Sequence, residues 1–127
     1  MQTRDQKYAL DAYNNVLAIK GKEDKKTARK YGVMCHKLPI LIHTAGLAQA
    51  LAFVESRKDV IYKIDFLDNL GKTIGAEGRL TEAARTAELN EYMRLTAQVM
   101  EALVWYKRFA QSILGVDASD NEEEEEK

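Results

Sequence analysis

The chain has 127 residues, of which 46% are hydrophobic and 31% are charged, and it contains one cysteine and one proline. This length suffices for one domain with a buried core. The single cysteine excludes a disulfide scaffold and suits a reducing cytoplasm, and the N-terminus lacks the apolar segment of a secretory signal. Because proline is nearly absent and no segment alternates apolar and polar residues, we predict an all-α protein, a compact single-domain bundle of five to six helices.

The first predicted helix begins at a capping box. Thr3 and Gln6 stand at the spacing at which the two side chains satisfy each other's backbone amides. Apolar residues follow at helical spacing, at Ala9, Ala12, Val16 and Ile19. We expect this helix to reach about Lys20, with Gly21 just after its end, and Asp24 to cap a second, basic helix.

An uncharged segment of 17 residues, Leu38–Val54, is the apolar centre of the chain. It is too short and too rich in alanine for a membrane span, and His43 and Gln49 interrupt it. We therefore expect a buried central helix, in which Gly46 lets neighbouring helices approach closely. Pro39 falls inside this helical sequence, where it either begins a new helix or kinks a longer one.

The second half of the chain predicts a shorter helix and then a long one. Asp59 is a plausible N-cap for a helix with an apolar stripe at Val60, Ile64, Leu67 and Ile74. The segment Gly75–Arg79 breaks this helix, and Thr81 can cap the next helical segment. The longest regular pattern ends at Gly115 and forms a packing seam at Leu89, Tyr92, Thr96, Val99, Leu103, Tyr106, Ala110 and Ile113.

The net charge of −1 hides a separation of charge along the sequence. The last eleven residues, 117–127, hold seven acidic residues and one lysine, and no large apolar side chain that would repay ordering. We therefore predict a helical domain over residues 1–116 and a disordered acidic tail over residues 117–127. Without the tail the domain carries a net charge of +5, and the segment Lys20–Lys37 alone accounts for all of it.

Two basic clusters are candidate RNA contacts. The first, on the predicted second helix, consists of Lys25, Lys26, Arg29, Lys30 and Lys37. Most of these side chains share one helical face, so the row can follow a phosphate backbone without reading bases. The second cluster is Lys107 and Arg108, next to Trp105 and Tyr106, for which we favour helix packing. For both clusters the open alternative is a solvated, solubilising face.

The sequence shows no catalytic or metal-binding constellation. His36 and His43 are seven residues apart, but residues 32–54 contain no Asp or Glu to complete an acid–base pair or a metal site. Cys35 has no activating partner beyond its neighbour His36, which points elsewhere on a helix. The motifs of nucleotide and metal sites, such as a P-loop, GxGxxG, HExxH or CxxC, are missing. We therefore predict no enzymatic activity, no metal and no cofactor, and a hydrolase based on either histidine is the least favoured alternative.

Several short sequences, in their order along the chain, resemble one protein family. They are Tyr31, Lys37-Leu38-Pro39, Gly46-Leu47, Ala50-Leu51-Ala52-Phe53, Tyr92-Met93-Arg94-Leu95-Thr96 and Trp105-Tyr106-Lys107-Arg108-Phe109-Ala110. Together they resemble the small all-helical subunit of the type III-B CRISPR effector, the Cmr complex, from about Lys7 to Ile113. Tyr106 stands where the family's pattern has leucine, and the glutamate-rich tail lies outside the resemblance.

The resemblance implies a non-catalytic protein of antiviral defence that stacks in several copies beside larger backbone subunits, which carry the guide RNA. It implies the backbone and large subunits as partners, with RNA cutting performed by a backbone subunit. In the family a basic surface lines the channel that holds guide RNA and target RNA, and we expect the two basic clusters there, with no membrane contact. The residues by themselves leave a second hypothesis, a helical protein–protein adaptor that does not touch nucleic acid.

Overall fold

The computed structural model describes residues 1–120, and residues 121–127, most of the predicted acidic tail, lie outside the described part. The elements are α1 Arg4–Lys22, α2 Lys25–Ala45, α3 Leu47–Ser56, a π-helical segment Ile61–Leu67 that continues into α4 Asp68–Thr73, α5 Leu80–Thr86 and α6 Leu89–Ser112. The described residues contain six α-helices and no β-strand, which confirms the predicted all-α bundle.

The caps confirm the predicted starts of α1 and α2. Thr3 accepts a hydrogen bond from the backbone amide of Gln6 at 3.0 Å, and the Gln6 side chain accepts one from the amide of Thr3 at 2.8 Å. The Asp24 carboxylate accepts from the amide three residues later at 2.7 Å. The predicted end of α1 was wrong, because the helix continues through Gly21 to Lys22.

The uncharged centre of the sequence is two helices joined at Gly46 rather than one. Gly46 has a φ of 90°, a conformation that favours glycine, and it ends α2 and begins α3. Pro39 lies inside α2 on its buried side. Leu51 of α3 is 1% exposed, as expected for the core, but Ile40 is 64% and Phe53 37% exposed. The expectation that this segment is buried on every side was therefore wrong, since each helix keeps one face toward solvent.

The helix that leads into α4 has a register different from the predicted one. Ile61–Leu67 is π-helical, with hydrogen bonds to the fifth residue instead of the fourth, so its side chains repeat at a wider spacing. Ile61 and Phe66, five residues apart, are buried, whereas Val60 and Ile64 are 69% and 65% exposed. The predicted stripe was therefore wrong at Val60 and Ile64, because it assumed the α-helical period. By contrast, Leu67 is buried and Ile74 packs against the core, as predicted.

Helix α6 lies at the centre of the bundle and packs mainly against α1 and α2. Val99 and Tyr106 are buried, as the predicted seam requires, while Leu89 at its start is 70% exposed. The Tyr106 hydroxyl lies 2.8 Å from the Thr73 hydroxyl and accepts a hydrogen bond from the Asn15 side-chain amide at 2.9 Å. Burial raises the pKa of Tyr106 to about 12. This polar network joins α1, α4 and α6 inside the core.

The chain after α6 returns along α2. Val116 is 2% exposed and lies against Gly32, where a Cβ would come within 2.9 Å of the valine side chain. Asp117 and Asp120, in the first part of the predicted tail, close a turn through a hydrogen bond from the Asp120 amide to the Asp117 carbonyl at 3.1 Å. The described contacts thus extend beyond the boundary predicted at residue 116.

Candidate nucleic-acid interface

The first basic cluster starts in the first turn of α2, where Lys25 and Lys26 are exposed. Lys25 also lines, with Lys20 and Arg29, a groove between the end of α1, the start of α2 and the residues that follow α6. Glu23 is the one acidic side chain among the lining residues. The groove is therefore mainly cationic and offers a place where a polyanion can lie.

Arg29 and Lys30 hold ion pairs to other segments. Arg29 Nη2 lies 3.2 Å from Oδ1 of Asp120, and Lys30 Nζ lies 3.2 Å from Oδ2 of Asp59. The two basic side chains are only 19% and 21% exposed. Each of them would exchange a carboxylate for a phosphate on contact with RNA, so these two cations are less accessible than the lysines in the first turn of the helix.

Lys37, the last residue of the first cluster, reaches across to α3. Its Nζ lies 5.3 Å from the centre of the Phe53 ring, and the guanidinium carbon of Arg57 lies 5.7 Å from the same centre. The sequence pointed to Phe53 only as part of a family motif and gave no signal for Arg57, and neither residue was predicted to contact RNA. Their separation by four residues hints at a shared helical face, but the approach of Lys37 depends on the turn at Gly46, which folds α3 back onto α2.

The second cluster lies near the C-terminal end of α6. The guanidinium carbon of Arg108 is 5.9 Å from the Trp105 ring centre, and the indole N–H of Trp105 donates to Asp5 of α1 at 2.9 Å. Tyr106 is buried, so both aromatic residues have the packing role expected for them. The structure thus brings the first five basic residues onto α2 and places Lys107 and Arg108 on α6.

The two histidines occupy different environments. His36 Nε2 lies 2.8 Å from the carbonyl oxygen of Val116, to which it donates a hydrogen bond, whereas His43 is exposed near the end of α2. Cys35 is buried, and burial raises the pKa of its thiol, which disfavours the reactive thiolate. Within residues 1–120, no group of three or more His, Cys, Asp or Glu side chains is placed to hold a metal ion.

The described helices include none that could cross a bilayer. Helices α1, α2 and α6 have the length for a span, but no helix within residues 1–120 combines that length with sufficient apolar character.

Together, the fold and this surface define a small all-α protein with a row of cations along one helix. The chain belongs to a family of CRISPR-associated proteins, Cas_Cmr5, whose family model matches residues 4–113. The match confirms the resemblance found in the sequence and covers nearly the same range.

Similar proteins support this membership at high coverage. The CRISPR system Cmr subunit Cmr5 of Thermus thermophilus is 44% identical over 117 residues, which cover 90% of this chain and 98% of the relative. The X-ray crystal structure of a CRISPR-associated Cmr5 family protein from Thermus thermophilus has a TM-score of 0.81 at 43% identity, covering 89% of this chain and 98% of the other. The likeness therefore extends over the whole helical body.

Proposed function

We propose that this chain is the small, non-catalytic subunit of a cytoplasmic type III-B CRISPR effector, the Cmr complex, which targets RNA in antiviral defence. Its membership of the Cmr5 family supports the assignment, because the relative from Thermus thermophilus is a Cmr subunit. In this role the protein binds the backbone and large subunits, stacks against copies of itself, and contacts guide RNA and target RNA through its basic surface.

The concentration of positive charge on α2 is the observation that carries the RNA contact. The helix holds Lys25, Lys26, Arg29, Lys30 and Lys37, while residues 117–127 hold seven of the 20 acidic residues of the chain. Lysine acts as a compact point charge that binds phosphate without reading base sequence. Such contacts suit an effector in which base pairing between guide and target supplies the sequence specificity.

Lys107 and Arg108 are the second set of proposed RNA contacts. They lie on α6 rather than on α2, so a single RNA backbone would meet both clusters only by passing around the end where α6 finishes and α2 begins. The groove between these helix ends, lined by Lys20, Lys25 and Arg29, provides cations along that route. This arrangement supports a continuous basic track.

RNA binding by the full chain over a range of salt concentrations tests the proposal. Neutralised phosphates release counterions, so the logarithm of the affinity should fall linearly with the logarithm of the salt concentration, by about 0.7–0.9 for each phosphate contact. The affinity should also be similar for RNAs of different sequence. Weak binding with no salt dependence would contradict the RNA contact.

An adaptor without nucleic-acid contact is the second candidate function. Leu10, Tyr13 and Leu17 follow each other on one face of α1 and are 47%, 45% and 45% exposed. An exposed apolar stripe of this kind favours contact with another protein. Under this hypothesis, replacing the stripe disrupts co-purification with the other Cmr subunits, and the full chain shows no salt-dependent RNA binding.

A further inference from the structure

We propose that Phe53, flanked by Lys37 and Arg57, is a stacking site for one unpaired nucleobase of RNA. The inference rests on the proposed RNA contact and adds the nucleobase as a second group that the protein binds. Phosphate contacts alone would not depend on the bases. Aromatic rings that receive single bases beside a positively charged track are a general way of holding single-stranded RNA.

Hydrogen bonds close the last turn of α3, in which Phe53 lies. Phe53 lies in the last turn of α3, and its carbonyl accepts a hydrogen bond from the Ser56 hydroxyl at 2.7 Å. The amide of Arg57 donates to the Val54 carbonyl at 3.1 Å and ends the helix. Phe53 is 37% exposed, so its side chain is accessible from solvent at the end of a helix.

The cations at the ring come from two different helices. Lys37 of α2 places its Nζ 5.3 Å from the ring centre, and Arg57 places its guanidinium carbon at 5.7 Å. The same guanidinium lies 5.1 Å from the centre of the Tyr62 ring, which is fully buried. Arg57 is therefore held between a buried ring and an exposed one, next to the surface where a base would lie.

The acidic residues close to Phe53 in the sequence pair with side chains of other segments. Glu55 lies 3.7 Å from Arg85 and accepts a hydrogen bond from Thr81 at 3.0 Å. Asp59 lies 3.2 Å from Lys30. The local field at Phe53 is consequently positive, which favours a ligand that joins an aromatic face to phosphates.

A nucleobase can replace the Lys37 ammonium group on the face of the Phe53 ring. A contact between an ammonium group and an exposed phenyl ring is weaker than the stacking of a nucleobase on that ring. The long stem of Lys37 lets its ammonium leave the ring and pair with the phosphate next to the stacked base. Because every base has a π face, the site accepts any base that is unstacked from its neighbours.

Two oligomers of equal length separate stacking from phosphate contact: a single-stranded RNA, and a ribose-phosphate chain without bases. Affinities are measured by fluorescence anisotropy for the full chain, with thermal melts to verify folding. We expect Phe53→Ala to weaken binding of the RNA by about 5- to 150-fold and binding of the base-free chain by less than about 2-fold. Phe53→Leu, which keeps an apolar side chain but lacks the π face, should show the same selective loss. Lys37→Ala should weaken binding of both oligomers. Leu89→Ala, a control at an apolar residue of α6 that is 70% exposed, should weaken neither.

The remaining outcomes overturn the inference in distinguishable ways. Equal losses for the two oligomers, or no loss for the RNA, would exclude stacking at Phe53 and leave the phosphate contacts of α2 intact. If the unmodified chain binds neither oligomer, the proposed RNA contact fails together with the inference. If Phe53→Ala leaves RNA affinity unchanged but prevents co-purification with the other subunits, the ring contacts a protein and the base site is wrong.

Discussion

Simultaneous replacement of four α2 cations by alanine is the most quantitative test of the basic surface; the residues are Lys26, Arg29, Lys30 and Lys37. Each lost phosphate contact removes about 0.7–0.9 from the slope of log affinity against log salt, so four lost contacts lower the slope by about 3. The ion pairs of Arg29 and Lys30 set a lower value for this change in slope. If Arg29 and Lys30 keep their carboxylate partners at 3.2 Å when RNA binds, only two contacts are lost, and the slope falls by about 1.5.

Fluorescence anisotropy with labelled RNA at several salt concentrations measures the slope, and several RNA sequences should give the same change. Thermal melts must verify that the variant is folded, because the ion pairs of Arg29 and Lys30 are partly buried and their loss should cost more than the roughly 0–1 kcal/mol of an exposed pair. A matched control removes four cations from exposed positions elsewhere, at Lys63, Lys72, Arg79 and Arg85. This control changes the net charge equally, and its slope should match that of the unmodified chain.

An unchanged slope in the α2 variant, with normal co-purification, would refute the assignment of this surface to RNA and leave it as a solubilising face. An unchanged slope with failed co-purification would instead support the adaptor. If the α2 variant and the control lose the same slope, the effect comes from net charge and the local surface has no special role.

Three further predictions concern the core, the tail and the histidines. Leu51→Ala, at a position 1% exposed, should lower the free energy of unfolding by about 2–5 kcal/mol in urea, and an unchanged melt would mean that α3 does not belong to the core. Truncation after Asp120 removes five glutamates and one lysine, so it should preserve the fold, including the contacts of Val116, and strengthen RNA binding at low salt; weaker binding would contradict this. His36→Ala and His43→Ala should leave RNA cleavage by a reconstituted Cmr complex intact, although His36→Ala should cost about 1 kcal/mol of stability through its lost hydrogen bond. Loss of cleavage with assembly preserved would overturn the non-catalytic assignment.

Features that depend on neighbouring residues were predictable from the sequence. The capping box at Thr3 and the N-cap at Asp24 involve hydrogen bonds over three residues, and both occur in the structure. The family resemblance, which rests on the order of short motifs, is confirmed over residues 4–113. The cationic character of α2 follows from composition alone and needs no tertiary information.

The register of the fourth helical region was not predictable in the same way. A sequence pattern read with the α-helical period placed Val60 and Ile64 in the core, but the π-helical segment buries Ile61 and Phe66 instead. A π-helix has poorer intrinsic stability, so tertiary packing selects it and local propensity does not. The turn at Gly46 could not be predicted either, since a glycine in an apolar segment is equally compatible with a close helix contact and with a turn.

The sequence alone therefore determined the helical class, the starts of α1 and α2, the family and the location of the positive charge, because these depend on interactions within a few residues or on composition. The cap predicted at Thr81 was wrong, since α5 begins at Leu80. Only the tertiary structure decided which basic side chains contact other residues and which residues those are. Arg29 meets Asp120 from beyond α6, and Lys37 meets Phe53 across the turn between α2 and α3. These partners are brought together by burial of the apolar faces of separate helices. The spacing of residues along one helix does not indicate which distant segment packs against that helix.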